Sequence, residues 1–136
     1  MAMPDDPFPK LPHGAPFLLL DRIVEIGERG GAFVKQVTAT DPLVASDGTL
    51  PAAFILEALA QGGGALMNAL GADHWTPGYL AGVDDFRTHR AVRVGDTMRV
   101  EVEILRHVGA ATMLRGRALV DGELVAEGRF TLALPR

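Results

Sequence analysis

The stretch Pro51-Ala-Ala-Phe-Ile-Leu-Glu57-Ala-Leu-Ala-Gln61-Gly-Gly-Gly64-Ala-Leu-Met-Asn68-Ala-Leu70 decides the fold. It reads as one helix, hydrophobic on nearly every side. Pro51 suits a first helical turn because its missing N–H has no acceptor there, and Gly71 supplies a stop. A helix apolar all round has to be covered all round. Between Asp47 and Asp73 the only charged residue is Glu57. Burying a carboxylate without partners is costly and pushes its pKa upward, so Glu57 is the first candidate for chemistry.

The same stretch is about as long as a bilayer span. Three glycines, Glu57, Gln61 and Asn68 interrupt it, and no basic flank marks a cytoplasmic side, so no membrane span is expected. Glycine inside a helix costs about 1 kcal/mol relative to alanine. Gly62, Gly63 and Gly64 together therefore predict either close backbone approach or room for a ligand.

The flanking segments read as strands. Phe17 to Ile26 is rich in Leu, Ile and Val, Gly27 to Gly31 breaks it, and Ala32 to Thr40 continues as the second arm of a hairpin. Thr40 to Leu50 is a loop before the helix, and Ala72 to Pro77 a loop after it. Tyr79 to Phe86 is a strand. In Thr97 to Leu105, Met98, Val100, Val102 and Ile104 alternate with Arg99, Glu101 and Glu103, the period of a half-buried strand. Thr112 to Val120 follows, Asp121-Gly122 signals a two-residue hairpin, and from Leu124 even-numbered residues face one way, with Val125, Glu127, Arg129 and Thr131 on the other. Two strands, one central helix, then a β-meander predict an α+β fold in which an antiparallel sheet wraps the helix, the hotdog arrangement. A single domain over residues 1–136 is expected, with 1–10 an extended arm.

Composition narrows the function. The chain has 136 residues, 48% of them hydrophobic, enough to bury a core. There is no cysteine, which removes disulfides and thiolate chemistry, and the four histidines, His13, His74, His89 and His107, lack ligand spacing, so neither metal nor cofactor is expected. A formal charge of -4 and 6% aromatic residues argue against nucleic acid as a partner. The proline-rich, acidic start is unlike an export signal, and a cytoplasmic location is expected.

Two strings in order, Leu11-Pro12-His13-Gly14-Ala15-Pro16-Phe17-Leu18-Leu19-Leu20-Asp21-Arg22 and Leu50-Pro51 leading to Ile55-Leu56-Glu57-Ala58-Leu59-Ala60-Gln61, resemble the hotdog 3-hydroxyacyl-ACP dehydratases of the FabZ/FabA type. Val83-Asp84-Asp85, running through Arg90 to Val94-Gly95-Asp96, is a third match. The resemblance implies elimination of water from a 3-hydroxyacyl thioester on acyl carrier protein. It also implies a site shared by two subunits, with a loop histidine of one facing a helix acid of the other. Glu57 takes the acid position. Fourteen residues ahead of it, where the histidine loop begins in the family, stands Leu43, and no histidine lies between His13 and His74. The loop Ser46-Asp47-Gly48-Thr49-Leu50-Pro51 is similar to that of the ApeP-like dehydratase branch.

These residues allow three readings. Glu57, with a second proton carrier, supports dehydration, and with an activated water it supports thioester hydrolysis on acyl-ACP or acyl-coenzyme A. In the third, the chain is a carrier-binding subunit of a heterodimer whose related dehydratase partner brings the histidine. A homodimer serves the other two. Gln61, one turn beyond Glu57, can orient it. The amides of Ala52 and Ala53 can polarise a carbonyl at the helix N-terminus. Asp47 is a turn residue or a substrate contact, and His13 is structural or reaches a partner's Glu57. Arg87, Arg90 and Arg93, with His89, form the one basic cluster, either solvated or docking an acidic carrier protein or coenzyme A phosphates. Asp21 and Arg22 fit a charge network within an apolar strand.

Overall fold

Alternation and turn chemistry place the strands, and the computed structural model describes residues 18–71 and 79–133. In chain order the elements are β1 (Arg22–Ile26), β2 (Gly30–Gln36), β3 (Thr49–Leu50), α1 (Ala52–Gly71), β4 (Tyr79–Thr88), β5 (Val92–Arg93), β6 (Thr97–Val108), β7 (Ala111–Val120) and β8 (Glu123–Ala133). Six strands form an antiparallel sheet in the order β1-β2-β6-β7-β8-β4, and β3 pairs with β5. Asp121 and Gly122 both have positive φ, 51° and 77°, as a tight hairpin turn between β7 and β8 requires. This is the expected α+β hotdog fold.

One face of the sheet belongs to the helix. Phe33 of β2, Met98, Val100, Val102 and Ile104 of β6, Leu114 and Ala118 of β7 and Phe130 of β8 are all buried in one core with Ile55, Leu59 and Leu66 of α1. Two glycines bring the helix backbone onto that face. A Cβ on Gly62 would lie 3.1 Å from Val100 and 3.2 Å from Val102, and one on Gly63 would lie 3.0 Å from Phe130 and 3.1 Å from Leu132. Close approach, rather than space for a ligand, is what Gly62 and Gly63 serve. By length and composition α1 could cross a membrane, but half of its most apolar window is buried inside this fold.

Several boundaries differ from the sequence reading. Phe17, where the sequence reading began the first strand, lies outside the described residues; β1 starts at Arg22, and Leu19 ahead of it gives its N–H to the Gln61 side chain instead of a strand partner. β2 ends at Gln36, since Val37 turns to bond Asp96. Thr49 and Leu50, read as loop, pair with Arg93 and Val92. In β8 the alternation slips: Ala118 faces Ala126 while Leu119 faces Leu124, so Val125 is an extra residue in a bulge and is buried rather than on the polar face. The arm over 1–10, His13 and His74 lie outside the described residues.

Candidate active site

Helix geometry separates the polar residues of α1 from its packing face. Leu59, Gly62 and Gly63 touch the sheet, and at 3.6 residues per turn Glu57 and Gln61 fall on another side. Glu57 is half-buried, less enclosed than the sequence suggested, because it lies off the face that the strands cover. Gln61 is 2% exposed. Its Oε1 accepts the N–H of Leu19 at 2.7 Å, and its Nε2 donates to Oε1 of Glu57 at 3.2 Å. The backbone N–H can only meet an oxygen and the carboxylate only an N–H, so these two bonds fix the orientation of the amide. Gln61 thus links the segment before β1 to the helix carboxylate.

The loop before the helix is built from turns. Asp41 N–H bonds Thr38 O, Val44 N–H bonds Asp41 O, and Gly48 N–H bonds Ala45 O. Asp47 is exposed, and its Oδ1 accepts both the hydroxyl of Thr49 at 2.6 Å and the N–H of Thr49 at 3.0 Å. Those bonds from Thr49 hold the Asp47 carboxyl below the usual range. Asp47 therefore anchors a turn at the start of β3. Phe54 and Ile55 both give their N–H to Pro51 O, while Ala52 and Ala53 stand exposed on the first turn, where helix amides have no intrahelical acceptor. Leu43, in the position of the missing histidine, packs against the core, and its N–H goes to Oδ1 of Asp41.

The basic cluster is spread out rather than gathered. Arg90 is 3.4 Å from Glu123 and 3.8 Å from Asp96, His89 is 2.7 Å from Glu127, and Arg87 stands across from Glu127 on β8. Arg93 pairs across from Thr49, close to the helix start. The bond from His89, first, and the nearby charges of Arg87, His89 and Arg117 hold the Glu127 carboxyl low. His107 bonds the hydroxyl of Thr112 at 2.9 Å on the sheet. Asp21 accepts the N–H of Gln36 at 2.5 Å, a structural role, and Arg22 is exposed. Among the described residues no group of three His, Asp or Glu is placed to hold a metal ion.

Sequence reasoning missed Lys35 and Asp41. Lys35 lies on the helix-facing side of β2, 5% exposed, with its Nζ 2.7 Å from Oδ2 of Asp41. Alternation from Phe33 puts residue 35 on the inner face, and that was the available signal.

The model of the ApeP-like dehydratase family matches residues 7–136. The chain belongs to the ApeP-like dehydratase family. It is 41% identical over 133 residues to the 3-hydroxyacyl-[acyl-carrier-protein] dehydratase FabZ of Thermomicrobium roseum, covering 91% of this chain and 87% of the relative. In fold it resembles the dehydratase heterocomplex ApeI:P from Xenorhabdus doucetiae, with a TM-score of 0.83 and 22% identity over 93% of this chain and 88% of that one. A hypothetical thioesterase with coenzyme A from Streptococcus pneumoniae shares the fold at a TM-score of 0.70, with 14% identity and 84% of each chain covered.

Proposed function

We propose that this ApeP-like dehydratase acts on 3-hydroxyacyl thioesters carried on acyl carrier protein, in fatty-acid or polyene biosynthesis, with Glu57 as acid or base and the cytoplasm as its setting. Elimination removes a proton from C2 and returns one to the hydroxyl leaving from C3. Glu57 can carry one of these protons at the carboxylate oxygens that Gln61 orients. The helix start offers the Ala52 and Ala53 amides to the thioester carbonyl, where enolate charge develops. The observation that carries this reading is the Leu19–Gln61–Glu57 chain of bonds, set on a helix of a family of dehydratases.

The other proton needs a second carrier. Leu43 occupies the loop position, and among the described residues His89 and His107 are bound to Glu127 and Thr112. We infer that a partner subunit, either a second copy or a related dehydratase, supplies it. β4 is the surface that suits such a partner: it is a sheet edge ten residues long, with Tyr79, Leu80 and Val83 exposed. Arg93, beside the helix start, is the residue of the basic cluster best placed to meet an acidic carrier.

The test is turnover of 3-hydroxyacyl-ACP by the purified chain, alone and mixed with a related dehydratase, beside Glu57→Ala. Water loss that depends on Glu57 supports the reading. Hydrolysis of acyl-ACP or acyl-coenzyme A without water loss would make the chain a thioesterase, and full activity in Glu57→Ala would remove Glu57 from the mechanism.

A further inference from the structure

Lys35 stands where the fold asks for an apolar residue. It follows Phe33 on the inner face of β2, pairs across from Met98, which is fully buried, and is itself 5% exposed. Its partner Asp41 is nearly as enclosed, with side-chain exposures of 6% and 10% for the pair. Exchanging a buried ion pair for apolar side chains of similar volume is often neutral or stabilising, so stability alone is a weak account of this one. Conformational specificity is the better one, and the bonds of Asp41 show which conformation is specified.

Asp41 uses both carboxylate oxygens. Oδ2 holds Lys35 on the sheet, and Oδ1 holds the N–H of Leu43 in the loop. That loop, residues 37–48, has no ladder of its own: its ends are tied by backbone bonds of Val37 to Gly95 and Asp96 and of Gly48 to Val94, and between them turns and the two bonds of Asp41 hold it. It delivers Thr49, Leu50 and Pro51, and Pro51 O receives the first helix N–H groups, those of Phe54 and Ile55. Glu57 follows one half-turn later. A carboxylate that must meet a thioester cannot tolerate much displacement, since a 1 Å error can cost about a hundredfold in rate.

We propose that the Lys35–Asp41 pair is a positioning device for the candidate site, fixing the 37–48 loop so that α1 starts, and Glu57 stands, where turnover requires. The proposal rests on the dehydratase reading for its kinetic part only. Lys35 is bonded to Asp41 and Asp41 to the backbone of Leu43, so both act through the loop as positioning residues. Lys35 and Asp41 line a recess of about 270 Å³ together with Leu18, Thr38, Thr40 and Pro42.

The experiment compares wild type, the apolar double variant Lys35→Met/Asp41→Leu and the single variant Asp41→Asn by hydrogen exchange, thermal melting and steady-state kinetics. The double variant should melt within a few degrees of wild type. Its amides over 43–55 should exchange about tenfold faster while β6 to β8 stay protected, and kcat should drop about tenfold or more with little change in KM. If the double variant does not fold, Asp41→Asn must show the same exchange pattern and the same loss in kcat. Unchanged exchange over 43–55 in a folded variant overturns the proposal, and so does faster exchange with wild-type kcat. A wild type that turns over no 3-hydroxyacyl-ACP, alone or mixed with a related dehydratase, sinks the dehydratase reading instead, and exchange over 43–55 still decides whether the pair holds the loop and helix start.

Discussion

The carboxamide of Gln61 donates to Oε1 of Glu57 at 3.2 Å from one turn further along α1, while its own oxygen is tied to the backbone of Leu19. Glu57 is therefore oriented by a side chain that has little freedom left. Gln61 is buried, both ends of its amide are engaged, and its donor side faces the carboxylate.

Gln61→Leu should separate packing from polarity. The change keeps an apolar filling but leaves the Leu19 N–H without its acceptor, a cost of about 1–3 kcal/mol for a buried donor. Urea unfolding should show a lower midpoint. Gln61→Glu restores an acceptor for Leu19 and places a second carboxylate beside Glu57, so it should lose more turnover than stability. Equal losses of both in the two variants would show that Gln61 acts only through packing.

Glu57→Gln keeps the shape of the side chain and removes its proton chemistry. General acid–base catalysis contributes about 10²–10⁴-fold, so kcat for water loss should fall by that order while melting changes little. The variant should still bind substrate, with KM close to wild type. A loss confined to KM would mean that Glu57 holds substrate rather than moving a proton.

The glycines make a graded series. Gly63→Ala regains about 1 kcal/mol of helix propensity but presses a methyl to 3.0 Å from Phe130, and overpacking costs about 1–3 kcal/mol. A modest fall in melting temperature is expected. Gly128→Ala should be worse, because its Cβ would meet the backbone Cα of Phe86 at 2.9 Å, and backbone moves less readily than a ring. Gly71→Ala, with nothing among the described residues within 4 Å of an added Cβ, should not destabilise. If Gly63→Ala raised stability, the helix would not be held as tightly against β8 as these distances state.

The architecture was legible because its signals are periodic. The all-round apolar helix demanded a wrapping sheet, and Met98 to Ile104 and Asp121-Gly122 supplied strand and turn. Bulges are not periodic, so Val125 was assigned to the wrong face, and the two-residue pairing of β3 with β5 is too short to leave a pattern. Glu57 and Gln61 stood out as polar residues in an apolar run. Lys35 did not, because a lysine in a strand reads as solvent-facing until the register from Phe33 is imposed, and its partner Asp41 lies in a loop whose geometry no spacing rule fixes. The distribution of Arg87, Arg90 and Arg93 was likewise hidden, since adjacent positions in sequence part where β4 ends and β5 begins.

Acid should find the Lys35–Asp41 pair. Burial pushes the Asp41 carboxyl up, but the bond from Lys35, the N–H of Leu43 and the charge of Lys35 together outweigh it and leave the carboxyl below its ordinary value. A carboxyl lower in the folded than in the unfolded chain contributes stability that is fully present above the unfolded value, about 3.9, and is lost as pH falls through the folded one. Asp41→Asn lacks that titration and leaves Lys35 buried without its counter-ion at every pH. Wild type should therefore be clearly more stable than Asp41→Asn at pH 7 and at pH 5, and the gap should narrow as pH drops below about 4, where Asp41 takes up its proton in the unfolded chain before it does so in the folded one. Urea unfolding of both proteins at pH 7, 5 and 3 measures it. A gap that stays constant across this range would mean that the cost of Asp41→Asn comes from the Leu43 turn rather than from the charge on Asp41.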